Sequence, residues 1–202
     1  QKNNVRITSF LMATHFDTQP EESLQWCSKV AAAAQELGAR AIRIDVVPNK
    51  LRDNRDEFVR FAIDMGKKLV EMVEDRDVSF GIENHGNTTN DPNFLNALFG
   101  AVESKKLGLT LDTANFYWYG HPLSKLYDIF ETFAPRACHT HCKSIQYPED
   151  KKNVQREMGW EYGKYNRPIY AGDIDFAKVV QILKNAGYSG DLCIENEALG
   201  KF

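Results

Sequence analysis

Apolar segments of two kinds alternate along this chain, and their alternation predicts a parallel sheet whose strands are joined by helices. Short apolar runs of strand length recur at intervals that leave room for a crossover helix between them. The six predicted strands cover residues 5–12, 41–47, 79–83, 109–112, 137–141 and 191–195. The predicted fold class is therefore α/β.

Amphipathic segments separate the predicted strands. Three long ones carry apolar residues at helical spacing, and they are residues 21–37, 55–74 and 175–186. The first follows Pro20 and stops at Gly38, as helices often do. Two shorter helices are predicted after Pro92 and Pro122, because proline suits the first turn of a helix. Five helices are thus expected between six strands.

The length of 202 residues fits one domain, residues 1–202. A (β/α)8 TIM barrel has eight strands and typically about 250 residues, so six strands fall two short. We expect such a barrel lacking its N-terminal βα units and its last helix, with an open, doubly wound sheet as the alternative. The long connection 144–172 is expected to close over a site or to pack against another subunit of a homo-oligomer.

Composition excludes several classes of partner. The 25 basic and 28 acidic residues give a net charge of -3 without a basic block, so no nucleic-acid partner is expected. No apolar run is long enough for a membrane span. Four cysteines without CxxC spacing favour a reducing compartment, hence a cytoplasmic location. The chain begins in a predicted strand, so removal of a preceding leader by processing is kept as an alternative.

Four successive predicted strands each end in a potential metal ligand. These residues are Glu83, Asp112, His141 and Glu195. The carboxyl ends of parallel strands meet at one face, so the four side chains should converge. Three carboxylates and one imidazole suit Mn²⁺ or Mg²⁺ and can accept Co²⁺ or Zn²⁺. The simpler interpretation, that each residue merely begins a loop, does not account for four strand ends in a row.

The segments around these residues resemble the xylose-isomerase-like TIM-barrel superfamily, and within it the ketose 3-epimerases. The resemblance is carried by Gly81-Ile82-Glu83-Asn84-His85, Leu111-Asp112-Thr113, His141-Cys142-Lys143 and Gly187-Tyr188-Ser189-Gly190 before Ile194-Glu195. It implies one divalent ion held by the four ligands, with Glu83 and Glu195 as catalytic proton-transfer groups. Asn115 stands where many members have histidine, which argues against the endonuclease IV branch with its three zinc ions.

The resemblance and the ligand set together predict a metal-dependent isomerase or epimerase of a small sugar or sugar derivative, working through an enediolate. A second hypothesis is a lyase or dehydratase of the same superfamily, which expels a substituent instead of returning the proton. This second hypothesis is motivated by two departures from the family pattern, Asn115 and Tyr147, the latter at a position where arginine is often found. A third is a sugar-binding barrel without activity.

Six residues are predicted to contact the substrate, each with a simpler alternative. They are Arg43, His85, Asn115, Trp118, Lys143 and Trp160. For Arg43 the alternative is a structural ion pair, since it lies within a predicted strand. For Lys143 it is a solvated charge, and for the aromatic residues it is ordinary packing. His139 is predicted to face away from His141 and to belong to the core.

Overall fold

The computed structural model describes residues 3–45 and 54–198, and its main feature is a parallel sheet of six strands. The strands in chain order are β1 (Ser9–Leu11), β2 (Ala41–Ile44), β3 (Ser79–Glu83), β4 (Leu107–Asp112), β5 (Ala137–Cys142), β6 (Ser144–Ile145), β7 (Asn166–Arg167) and β8 (Cys193–Ile194). The sheet has the order β1-β2-β3-β4-β5-β8, while β6 and β7 form a separate antiparallel pair. The predicted α/β class is confirmed.

The sheet curves strongly. Ser9 Oγ of β1 lies 3.3 Å from His139 Nε2 of β5, although three strands separate β1 from β5 in the sheet. In a flat sheet four strand spacings of about 4.8 Å would hold them roughly 19 Å apart. Sequential order, parallel pairing and this curvature confirm the predicted barrel architecture with six of its eight strands. The doubly wound alternative is wrong, because the strand order never reverses.

Helices connect the strands and cover the outer face of the sheet. They are α1 (Pro20–Leu37), α2 (Arg55–Val73), α3 (Pro92–Ala101), α4 (Asn115–Tyr119), α5 (Leu123–Phe133), α6 (Glu149–Lys152), α7 (Tyr162–Tyr165) and α8 (Phe176–Asn185). The side chains of Asn54, Asp91 and Asp175 accept hydrogen bonds from the first turns of α2, α3 and α8. Gly38 ends α1 at a φ of 76°, which glycine adopts readily. Among the described residues, no helix is both long and apolar enough to cross a membrane.

Packing of these helices on the strands forms one hydrophobic core. Its largest fully buried side chains include Phe58, Phe80, Phe94, Ile42 and Leu69. Each such side chain contributes about 1.5–3 kcal/mol by leaving water. The core therefore fixes the strands, and the carboxyl ends of the strands carry the polar residues described below.

Several predicted boundaries differ from the observed ones. The strand predicted at 5–12 pairs only over Ser9–Leu11, and the one predicted at 191–195 pairs only over Cys193–Ile194. Both are edge strands, so neighbouring backbone supports them on one side alone. Residues 46 and 47 of the predicted strand 41–47 lie outside the described residues. The connection 144–172 contains β6, α6, α7, β7 and a short 3₁₀ turn.

Candidate metal centre

Four carboxylate and imidazole side chains meet at the carboxyl end of the sheet. Glu83 and Asp112 are the last residues of β3 and β4, His141 lies in β5, and Glu195 follows β8. One ligand atom from each of the four lies within 4.8 Å of every other. Asp112 pairs with His141 in the register of β4 and β5, which sets these two side chains side by side. The structure thus brings together the four residues predicted from the strand ends.

Glu83 is buried and held by three neighbours. Arg43 Nε donates to Glu83 Oε2 at 2.6 Å, and Asn115 Nδ2 donates to Glu83 Oε1 at 3.3 Å. His141 Nδ1 lies 3.1 Å from Glu83 Oε1. Burial disfavours the charged carboxylate, but the His141 contact and the Arg43 charge outweigh it and lower the pKa of Glu83 to about 2. Glu83 is therefore an anion at neutral pH.

Asp112 is fully buried and has two different oxygen environments. Oδ1 accepts hydrogen bonds of 2.8 Å from the backbone N–H groups of Ala114 and Asn115 at the start of α4. Oδ2 faces the centre and lies 2.9 Å from Lys143 Nζ. Burial raises the pKa of Asp112 to about 7, against the opposing charge of Lys143. A cation at the centre would relieve this cost.

His141 shares one ring nitrogen between two carboxylates. Its Nδ1 lies 3.1 Å from Glu83 Oε1 and 3.1 Å from Glu195 Oε2. Burial alone would lower the pKa of His141, but these two carboxylates raise it to about 9. The His141 contact in turn lowers the pKa of Glu195, which is the most exposed of the four. A metal ion would have to replace the proton of this imidazole.

The donor set fits a divalent cation. Asp112 Oδ2 and Glu195 Oε2 are buried and accept no well-directed hydrogen bond from the described residues. Both lie within ion-pair distance of Lys143 Nζ, at 2.9 and 3.2 Å. Buried carboxylate oxygens need a compensating cation, and in this structure the Lys143 ammonium provides it. Three carboxylate oxygens and one imidazole nitrogen are ligands that Mn²⁺, Mg²⁺ and Zn²⁺ can share.

A cavity beside the four ligands gathers most of the residues predicted to contact substrate. Its lining residues are His85, Asn115, Trp118, Lys143, Tyr162 and Glu197. Glu197 is not among the predicted site residues, whereas Tyr162 is expected near the site only as part of the long connection 144–172. Glu197 could have been found from the sequence, because it follows Glu195 by two residues and residues two apart in an extended chain face the same way. Tyr162 comes from the long connection, whose path has no periodic signal.

Two other predicted contacts lie elsewhere. Arg43 is buried and forms ion pairs with two carboxylates. Its Nε donates to Glu83, and its Nη1 donates to Asp45 Oδ2 at 2.7 Å. These contacts correspond to the structural ion pair that is the alternative to a substrate contact. Trp160 stacks on Tyr165, with ring centroids 5.5 Å apart, and packs against Tyr147 at 5.7 Å. The structure does not place Trp160 in the cavity. Its ring belongs to the packing of the long connection.

The prediction that His139 faces away from His141 is wrong. Residues two apart in a strand share a face, and the two rings lie 5.2 Å apart by centroid. His139 is nevertheless buried, as expected, and burial together with the nearby His141 lowers its pKa to about 4. A neutral ring of this kind packs inside the curved sheet, below the centre.

Comparison with known proteins supplies a family model and a distant curated relative. The model, described as a xylose isomerase-like TIM barrel, matches residues 1–199. The relative is an uncharacterized protein of Methanocaldococcus jannaschii, 25% identical over 134 residues. The match covers 64% of this chain and 41% of that protein. The chain thus spans less than half the length of this relative.

Several solved structures share the fold. A D-tagatose 3-epimerase-like protein has a TM-score of 0.69 and 20% identity, with 97% of this chain and 72% of that chain covered. The IOLI protein, solved with a zinc atom, has a TM-score of 0.71 and 16% identity, with coverages of 94% and 68%. Mannonate dehydratase of Streptococcus suis serotype 2 has a TM-score of 0.70 and 12% identity, with coverages of 96% and 69%. At these identities the likeness concerns the fold.

Proposed function

Since this chain belongs to the xylose isomerase-like TIM barrel family, we propose that it is a divalent-metal-dependent isomerase or epimerase of a small sugar. The observation that carries the proposal is the convergence of Glu83, Asp112, His141 and Glu195, whose ligand atoms lie within 4.8 Å of one another. Similar folds in an epimerase-like protein and in a zinc-containing protein support it.

The four residues would hold one ion, with Mn²⁺ or Mg²⁺ as the first candidates. When bound, such an ion polarises a carbonyl and a neighbouring hydroxyl of a sugar and so acidifies the adjacent C–H. The strong hydrogen bonds from Arg43 and from the start of α4 fix Glu83 and Asp112 before any ligand arrives. Ligands preorganised in this way lose little entropy on binding.

Glu83 and Glu195 are the proposed proton-transfer groups. They come from β3 and from the end of β8, so they reach the centre from different sides of the curved sheet. Both carboxylates are ionised at neutral pH, and an ionised carboxylate can accept a proton from carbon. One carboxylate that returns the proton to a neighbouring carbon gives an isomerase. Two carboxylates on opposite faces give an epimerase.

The cavity next to the ligands provides the substrate contacts in this proposal. His85, Asn115 and Trp118 line it together with Lys143. Trp118 offers a flat apolar surface, which suits the C–H face of a sugar. The other three offer hydrogen bonds to hydroxyl groups. A site of this composition favours a small polyhydroxylated molecule.

A lyase of the same superfamily is the second candidate. The similar fold of a mannonate dehydratase supports it, since the same proton removal can end in loss of a substituent. In that case the substrate loses mass as water or another group leaves. The two candidates therefore differ in a quantity that mass spectrometry measures directly.

Incubation with a panel of ketoses and keto-sugar acids, with Mn²⁺ in deuterated water, tests the proposal. We expect deuterium on the carbon next to the carbonyl and a new isomer of unchanged composition, detected by NMR. A product of lower mass would establish the lyase instead. Sugar binding without deuterium exchange would leave only a binding protein. Glu195→Gln should lose the exchange, while Glu149→Gln, whose side chain is 88% exposed, should retain it.

A further inference from the structure

Glu197 is a carboxylate beside the centre that the proposed chemistry does not use. Its Oε1 lies 2.9 Å from Lys143 Nζ, and its Oε2 accepts a hydrogen bond of 2.6 Å from the Tyr162 hydroxyl. The backbone carbonyl of Glu197 accepts another from Asn166 Nδ2 at 3.1 Å. Tyr162 and Asn166 both belong to the long connection. The Glu197 carboxylate is therefore fixed on both oxygens, although its side chain is 42% exposed.

Lys143 is shared between Glu197 and two proposed ligands. Its side chain is only 7% exposed, and Nζ lies 2.9 Å from Asp112 Oδ2 and 3.2 Å from Glu195 Oε2. Within the part of the chain that the structure describes, these two oxygens accept no well-directed hydrogen bond. An ammonium group and a divalent ion repel each other strongly at such distances. Lys143 in this position thus competes with a metal ion for the same oxygens.

Two hydrogen bonds hold the backbone of Lys143 in place. Its N–H donates to Thr113 Oγ1 at 3.0 Å, and its carbonyl accepts from the same hydroxyl at 2.6 Å. Only the side chain can turn, and Glu197 is the third carboxylate within its reach. A Lys143 ammonium that loses Asp112 and Glu195 to an ion would keep one anionic partner.

We propose that Glu197 is a positioning residue that takes the Lys143 ammonium from Asp112 and Glu195 when the ion binds. Tyr162 holds the Glu197 carboxylate in the orientation that this requires. The inference rests on the proposed metal centre and adds a residue that controls the affinity of that centre for its ion. Without Glu197, the remaining anionic partners of the Lys143 ammonium among the described residues are the oxygens of Asp112 and Glu195. An ion that binds these oxygens then leaves the ammonium group without either partner.

Glu197 could also favour a cation simply through its own negative charge. The two explanations differ when Lys143 is absent. If Glu197 acts through its own charge, Glu197→Gln weakens ion binding equally with and without Lys143. If Glu197 acts by positioning Lys143, the substitution weakens ion binding only when Lys143 is present. A double-mutant cycle separates them, because it measures whether the two changes depend on each other.

The test measures the dissociation constant of Mn²⁺ by titration calorimetry for the wild type, Glu197→Gln, Lys143→Met and the double variant. We expect Glu197→Gln to weaken Mn²⁺ binding by about tenfold, the size of one lost hydrogen bond between charged groups. In the Lys143→Met background the same change should have an effect of less than about twofold. Tyr162→Phe should weaken binding in the same direction, and it serves as a second variant if Glu197→Gln does not fold.

Either of two results would overturn the inference while leaving the proposed function intact. One is wild-type Mn²⁺ affinity in both Glu197→Gln and Tyr162→Phe. The other is an equal loss on Glu197→Gln with and without Lys143. A wild-type protein that binds no Mn²⁺ would remove the metal centre and this inference together. Glu149→Gln, at an exposed carboxylate that pairs with Lys152, provides the matched charge control.

Discussion

Asn84 and Asp112 are joined by two hydrogen bonds between the side chain of one and the backbone of the other. Asn84 Nδ2 donates to the carbonyl of Asp112 at 2.9 Å, and the N–H of Asp112 donates to Asn84 Oδ1 at 2.8 Å. The Asn84 amide thus continues the pairing of β3 and β4 past the end of β3. It fixes the backbone that carries a proposed ligand.

Asn84→Ala should destabilise the protein and its metal centre together. It leaves the N–H and the carbonyl of Asp112 buried without these partners, which costs about 2–4 kcal/mol. Denaturant unfolding measures the loss, and Mn²⁺ titration should show weaker binding in the same variant. Asn93→Ala, at an exposed position in α3, is the matched control and should change stability by less than about 0.5 kcal/mol. Equal stabilities for the two variants would contradict this role of Asn84.

Mn²⁺ should stabilise the protein more at alkaline than at acidic pH. Burial raises the pKa of Asp112 from 3.8 to about 7, and the carboxylates beside His141 raise its pKa from 6.5 to about 9 against burial. A raised pKa in the folded state gives stability that is complete below the unfolded value and lost as pH rises through the folded value. The metal-free protein should therefore lose stability from about pH 4 to 9, and a bound ion replaces both protons.

Thermal melts with and without Mn²⁺ at about pH 6 and about pH 8.5 test this pH dependence. The increase in melting temperature should be larger at the higher pH. Glu83 has a lowered pKa of about 2, so its contribution to stability rises with pH instead of falling. That change is complete below about pH 4.5 and does not affect the comparison between these two pH values. A smaller increase at about pH 8.5 would contradict the assignment of His141 and Asp112 as the groups that exchange protons for the ion.

Arg43→Met should leave Glu83 as an uncompensated buried charge in the metal-free protein. Loss of one partner of a buried ion pair costs about 3–5 kcal/mol. Added Mn²⁺ should recover part of this loss, because the ion neutralises Glu83. Arg40→Met is the control, since the Arg40–Asp77 pair has side chains 78% and 84% exposed and should contribute little. Urea unfolding of both variants with and without Mn²⁺ measures the difference, and equal effects would refute it.

Gly120→Ala should destabilise the connection between α4 and the long segment behind the cavity. Gly120 has a φ of 117°, and a Cβ there would lie 2.2 Å from the carbonyl oxygen of Arg156. The combined strain and overlap cost about 2–4 kcal/mol. Gly100→Ala is the control, because a Cβ at Gly100 meets nothing within 4 Å in a helix that favours alanine. A Gly120→Ala protein as stable as the wild type by denaturant unfolding would contradict the observed contact.

The fold and the four strand-end residues could be predicted because they depend on topology alone. Any parallel sheet gathers the carboxyl ends of its strands, so Glu83 and Asp112 needed only correct strand ends to be placed together. The curvature of the sheet is expected because the sequence resembles a family of TIM barrels, in which the sheet closes on itself. The predicted edge strands are longer than the observed ones, because an apolar run does not show whether a neighbouring strand is present on both sides.

The charge pairing inside the site could not be predicted in this way. Whether Arg43 meets Glu83 or a substrate depends on side-chain geometry across β2 and β3, which periodicity does not encode. Lys143 is predicted as a substrate contact, with a solvated charge as the alternative, yet three carboxylates lie within ion-pair distance of its ammonium group. Trp160 and Tyr162 lie two residues apart in the long connection, but only Tyr162 reaches the cavity. Trp160 instead stacks on Tyr165 and packs against Tyr147.

The central claim is that Glu83, Asp112, His141 and Glu195 form one metal centre. Its most direct test is the stoichiometry of Mn²⁺ binding, by calorimetry and elemental analysis, for the wild type and for Asp112→Ala, which removes the fully buried ligand. We predict about one ion per chain in the wild type and none in the variant at the same concentration. No bindable ion in the wild type, or undiminished binding in a folded Asp112→Ala protein, would contradict the claim.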